Sequence, residues 1–456
     1  MTYKEVQHLY WRAGFGLKPK ELQYLASFSK EALVNDLFQK SKDIVPLQKD
    51  LSYLKVFPQE RLKNEAQFRQ ELARRNRQET KILNTIWFKR LEKTPRVLRE
   101  RMTLFWANHF VCRDMATNYI LKYNTTLRTH ALGNFRDFVK AISKEASMIK
   151  YLNLSQNRKN SPNENFAREL LELFTLGEGN YLEKDIKECA RAFTGYHFKF
   201  NGDFRLIKNR HDNGIKQFFG KEGNFDGDDI IDIILEQKQC AQYICEKIYS
   251  YFVNSNINKE HVAEMVHVFY GEYNIEKLMR YVFNSDWFYN KENIGTKIKS
   301  PIDLIVGIQR MIPVYFTKNE ELFRLQTLLD QFLLNPPNVA GWKGGKSWIT
   351  TNSLMLRIKL PSMILEKESY SYQYKGNIKN LRIVSVKNKY QEKLTVYVDW
   401  KAYKKSVKKI SLEMLKDTLI LCEVNRGTAN YIKRFGRRPS RKNLVNLMSL
   451  PEYQMC

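Results

Sequence analysis

The sequence predicts a mainly α protein: a large multi-helix body carrying a small β excursion and a C-terminal β-hairpin. Three observations lead there. Apolar residues recur at helical spacing along most of the 456 residues, as Leu98, Met102, Phe105 and His109 do on one face. Cap and stop residues bracket many of these runs, with Asp226 before the run to Leu235 and Gly195 after the run to Phe193. Strand-like text is confined to two places, near residues 196 to 226 and 370 to 400.

In chain order, Lys20 to Gln39 is helix-like, and Glu60 to Arg90, polar and free of Gly and Pro, predicts long exposed helices. Pro95 opens the segment containing His109, a lone histidine on an apolar stripe that fits a satisfied core group better than a ligand or base. Asn134 to Tyr151 adds a helix with Phe135, Phe138, Val139 and Ile142 inward. Beyond residue 226, segments 226–235, 239–253, 261–270, 276–283 and 300–311 continue the helical pattern. Leu381 to Val386 and Leu394 to Val398 then suggest a hairpin, and Lys401 to Glu423 and the text beyond Ser440 return to helix. The organisation expected is a helical main body over 1–365, a β-hairpin insertion over 366–400, and C-terminal helices over 401–456 packing back on the body.

The chain is centred on residues 157–196. Ser161 suits an N-cap, Pro162 the first helical position, and Glu164 the third residue after the cap, so a helix is expected over 162–176 with Gly177 ending it. Phe166, Ala167, Leu170, Leu171 and Phe174 fall on one side of it. Glu164, Arg168, Glu169 and Glu172 fall on the other, as a solvated ladder of i,i+4 pairs or as the lining of a pocket. The next helix buries Ile186, Cys189, Ala190 and Phe193 and packs antiparallel to the first.

Composition restricts the function class. A formal charge of +27 suits a polyanionic partner, but lysine and arginine are spread along the whole chain, which argues against a dedicated nucleic-acid site. The six cysteines form no Cys-x-x-Cys pair, and no apolar run reaches the length of a membrane span. Thiols among apolar positions and the lack of an apolar leader fit a cytoplasmic protein, with export as the alternative. No cofactor and no metal site are expected. Gly14-x-Gly16 lacks both the third glycine and a preceding strand, His211, Asp212, Asp226, Asp228 and Asp229 fit turns and caps, and Ala340-Gly341-Trp342-Lys343-Gly344-Gly345-Lys346-Ser347 misses the phosphate-loop register. That last segment is instead a Pro and Gly loop presenting Trp342 and Trp348 to a core edge or a ring-shaped ligand.

The strings Arg12-Ala13-Gly14-Phe15-Gly16, Met102-Thr103-Leu104-Phe105-Trp106, Pro162 to Leu170, Ala190-Arg191-Ala192-Phe193-Thr194-Gly195 and Asn335-Pro336-Pro337-Asn338-Val339-Ala340-Gly341-Trp342 resemble, in order, those of the bacterial domain of unknown function 1800 family. The resemblance implies a large, mostly helical bacterial protein of unestablished activity, encoded in many cases beside a sulfatase-like protein, which is the partner it suggests. Many members carry export signals. This chain has Ala107 where the family often has a second histidine beside His109, and Tyr196 in place of the usual Trp.

These readings place a candidate site on the central helix. Glu164 or Glu169 would carry a proton and Arg168 would clamp an anion, with Asn157, Arg158, Asn163, Glu172, Arg191 and Trp342 as binding residues. The function expected is a hydrolase or transferase on a polar or anionic substrate. The alternatives are a non-catalytic assembly or glycan-binding protein and, behind it, a nucleic-acid binder.

Overall fold

The computed structural model describes residues 1–369 and 393–456, and most of these are helical. Helices run in sequence from Tyr3–Arg12 to Arg441–Met448, and one continuous apolar cluster reaches from Val6 to Tyr453. Leu415, Leu419, Leu444 and Met448 belong to that same cluster, so the C-terminal helices pack into the main core. A direct tie joins the two ends, because Gln7 Nε2 donates to Thr418 O at 2.6 Å.

The segment 20–39 is two helices, Pro19–Leu25 and Lys30–Lys40, because Ser29 caps a fresh start by accepting from Ala32 N. Ala66–Lys93 runs unbroken for 28 residues, as its lack of Gly and Pro allows. Its buried positions begin only at Asn76, so its first turns are exposed. Val97–His109 is buried on nearly every side. Its neighbours include Lys238–Phe252 and Pro301–Met311, the latter started by a capping box between Ser300 and Asp303.

Strands are short and antiparallel. Tyr196–Phe198 pairs with Phe204–Leu206, and Lys216–Phe218 with Lys221–Gly223. The second pair turns through Phe219 and Gly220, both at positive φ, which matches the twist of a two-residue hairpin. Val396–Val398, within the expected strand 394–398, pairs with Val314–Phe316. The run 381–386 lies outside the described residues.

The central helix departs from expectation at its start. Helix begins at Asn165, not at Pro162, and Ser161 caps nothing. Ser161 N is held by Arg158 O at 2.9 Å in a tight turn, while buried Asn157 accepts from Asn163 N and Asn163 accepts from Asn165 N. Asn157 is itself fixed by donating to Ala190 O at 2.7 Å, so the start of the helix is set by contact with the next helix. From Leu170 to Thr175 the helix widens to a π-helix, and Gly177 at φ +85° ends it.

Candidate functional site

The polar face of the central helix is a ladder. Arg168 reaches Glu164 at 3.4 Å and Glu183 at 3.1 Å, and its side chain keeps 41% of its exposure. The expected Glu/Arg-lined pocket is therefore not formed by this pair, whose charges stay in water. Glu172 accepts from the Tyr181 hydroxyl at 2.9 Å. Glu169 is half-buried, and burial followed by the charge of Glu172 pushes its carboxyl up. Asn157 and Asn163 hold backbone, as described above, and Arg158 is exposed. Arg191 belongs to another network, bridging Asp212 and Glu188 at 2.8 Å each and donating to Ile215 O. Trp342 touches none of these polar groups through a hydrogen bond; its backbone is held by Asn108.

Inward of that helix lies a cleft of about 730 Å³, to which Leu173 contributes. Most of its walls come from four distant segments, Leu104 to His109, Tyr243 to Tyr251, Thr296 to Asp303, and Val339 to Trp348, with Ser255, Gln331 and Met455 completing them. The end of the π-helix seals one side. Helix ends leave carbonyls without partners, and here Tyr243 donates to Leu173 O, Gln239 to Leu176 O, and His109 Nε2 to Phe174 O at 3.0 Å. His109 is thus a satisfied core histidine that also borders the cleft. Burial, with Lys247 adding to it, pushes its pKa down to about 3, so it is neutral.

The opposite wall is the loop with the Pro and Gly pattern. Asn108 clasps it, accepting from Trp342 N at 2.7 Å and donating to Trp342 O at 3.1 Å. Gly341 sits at φ +77°, and any Cβ there would collide with Asn108 Oδ1, so only glycine permits this approach. Trp342 and Trp348 are packed into the wall at 4% and 8% exposure and do not stand out as free platforms. Lys343 and Lys346 project from the same loop, exposed, at the mouth.

Beneath the floor, charge is concentrated. Arg101 and Asp303 form an ion pair at 2.7 Å with both side chains at most 2% exposed. Arg101 also donates to Gly14 O and Trp11 O and lies 4.2 Å over the Phe15 ring. Burial alone would raise the Asp303 carboxyl, but Arg101 and then Lys297 hold it below the ordinary range. Arg12 donates to Asn293 O and Thr296 Oγ1 next door. Lys297 Nζ donates to Tyr251 O at 2.7 Å and lies 3.6 Å over the Tyr251 ring. Burial, then the charge of Arg101, pushes its pKa down to about 7.

The sequence names Trp342 as a binding residue of the central-helix site, and Lys247, Lys297, Lys343, Lys346 and the Arg101–Asp303 pair are not among the site residues it singles out. Two signals were present. Asp303 is a charge inside an otherwise apolar helical stretch, and the near phosphate-loop text carries two lysines among glycines. Among the described residues, no group of three or more His, Cys, Asp or Glu side chains is gathered to hold a metal ion, and no helix is long and apolar enough to cross a membrane.

Compared with known protein families, residues 8–455 match one whose description reads "Protein of unknown function (DUF1800)". No curated protein and no solved structure matches.

Proposed function

The chain belongs to the DUF1800 family of proteins of unknown function, and on that premise we propose that it binds a small anionic, ring-bearing molecule in the cleft between His109, Lys297 and the 339–348 loop. One observation carries the reading. Four lysines line the cleft, Lys247, Lys297, Lys343 and Lys346, against a single carboxylate, Asp303, which is already paired with Arg101. Such a site attracts anions and repels cations, and its concave walls shield the attraction from salt better than an open surface does. Phe105, Tyr243 and Tyr251 supply apolar area for a ring, as small-molecule sites commonly do. The anionic substrate class inferred from sequence is kept, and the site moves from the outer helix face to the cleft. As an enzyme of the hydrolase or transferase kind, the protein would do its chemistry here.

Titration calorimetry with 4-nitrophenyl phosphate and with citrate tests this. Binding is expected in wild type and about tenfold weaker in the Lys343→Glu/Lys346→Glu variant, whose loop lysines carry no structural load. Equal affinity in both proteins would remove the proposal.

A second reading concerns the outer face. The exposure of the Glu164–Arg168–Glu183 ladder favours a surface for an assembly partner, with Glu169 as its one carboxyl suited to proton transfer. If that face is such a surface, Arg168→Glu weakens self-association or partner capture and leaves citrate binding unchanged.

A further inference from the structure

We propose that Lys297 is an imine-forming lysine, whose amine condenses with the carbonyl carbon of a small anionic aldehyde or 2-oxo acid held in the cleft. The inference rests on the anionic-cleft reading and names its substrate class.

Geometry singles this lysine out. Its backbone is pinned by exchanged hydrogen bonds with Cys456, at 3.0 and 2.8 Å. The side chain is partly exposed toward the cleft. One N–H is spent on Tyr251 O, which leaves the nitrogen lone pair of the neutral amine uncommitted. Burial, above all, favours the neutral amine. Arg101 and Arg12 oppose a further positive charge, while Asp303 and Cys456 act the other way, and Asp303 is committed to Arg101. A desolvated lysine beside cationic groups is the usual arrangement for an amine nucleophile. Lys299, its neighbour, is closed off between the rings of Trp11 and Tyr453 and donates to Tyr453 O. Lys247, Lys343 and Lys346 are exposed and suit the anionic end of the ligand.

The step balances without an oxidant or reductant. The lone pair of Lys297 Nζ forms the C–N bond as the carbonyl π bond opens, and the carbonyl oxygen takes up a proton. The resulting carbinolamine loses that oxygen as water, after a second protonation, and Nζ keeps one hydrogen in the protonated imine. Net, one amine, one carbonyl compound and one proton give one iminium and one water.

The test uses the full chain with glyoxylate as probe and cyanoborohydride as trap, at pH ~7.5, read by peptide mass spectrometry. An ordinary lysine is only on the order of one part in a thousand unprotonated there. Lys297 should therefore be carboxymethylated about a hundredfold faster than any exposed lysine, and the preference should shrink as pH is raised toward about 10, where ordinary lysines also lose their proton. Citrate should protect it, and acetaldehyde at the same concentration should label it far less. Label spread over Lys247, Lys343 and Lys346 with Lys297 unmodified overturns the proposal, and because the measurement is made on wild type it does not depend on a variant folding. Lys297→Arg, which removes the amine nucleophile, should lose the label at that position. If citrate binds wild type but Lys297 stays unlabelled, the imine fails and the cleft reading stands. If neither probe binds, both fail.

Discussion

Arg101→Met is the perturbation whose cost follows most directly from the structure. It removes one member of an ion pair in which both side chains are at most 2% exposed, leaving Asp303 buried without the guanidinium its carboxylate contacts. Breaking a buried pair from one side costs about 3 to 5 kcal/mol. The carbonyls of Gly14 and Trp11 also lose their donor, adding about 1 to 3 kcal/mol if water does not replace it. Urea unfolding of wild type, Arg101→Met, Asp303→Leu and the double variant separates the contributions, and the double variant should be less damaged than the sum of the singles. pH adds a second readout. In wild type the Asp303 carboxyl is held low, so its contribution is present above the unfolded value near 3.9 and is lost as pH falls through the lower folded value. Without Arg101, burial wins and the folded carboxyl lies above its unfolded value. The variant's deficit is then largest at neutral pH and shrinks as pH falls toward about 4. An Arg101→Met protein within about 1 kcal/mol of wild type at pH 7 would refute this account of the cleft floor.

Other outcomes are equally specific. Leu170→Ala, on the buried side of the central helix, should cost about 2 to 5 kcal/mol, whereas Ser161→Ala, which removes no cap, should stay within about 0.5 kcal/mol in chemical melts. His109 is held neutral down to about pH 3 while its unfolded form protonates near 6.5, so it lowers stability as pH falls between those values; His109→Gln should flatten that slope between about pH 6.5 and 4.5, and an unchanged slope would contradict it. Asn108→Ala should free the 339–348 loop, seen as faster limited tryptic cleavage after Lys343 and Lys346, and an unchanged cleavage rate would show that the loop is held elsewhere.

What the sequence could disclose was local. Asp226 does cap its helix with Asp229 in a reciprocal box, and the β excursion lies where aromatic and glycine residues suggested. Ser161 looked like a cap by every local criterion and is not one, because Asn157 and Ala190, outside any capping window, decide where the helix starts. The same blindness hid the cleft. Lys297 is one lysine among many in a strongly basic chain, and only tertiary packing sets it over Tyr251 beside Arg101. Arg168 misled in the opposite direction, since i,i+4 spacing makes a charged face visible without saying whether water covers it.

The clasp between Asn108 and Trp342 joins residues 234 positions apart, and the rest of the cleft is drawn from stretches just as scattered. No partly folded chain owns a binding surface. A ligand can therefore stabilise only the finished protein, by about 2.7 kcal/mol at a hundred times its dissociation constant. Such a margin alters how much of a marginally stable protein escapes proteolysis. In a cell the abundance of this protein would follow the supply of its ligand, and a metabolite or nutrient that raises its half-life in growing cultures would identify that ligand without any assay of activity.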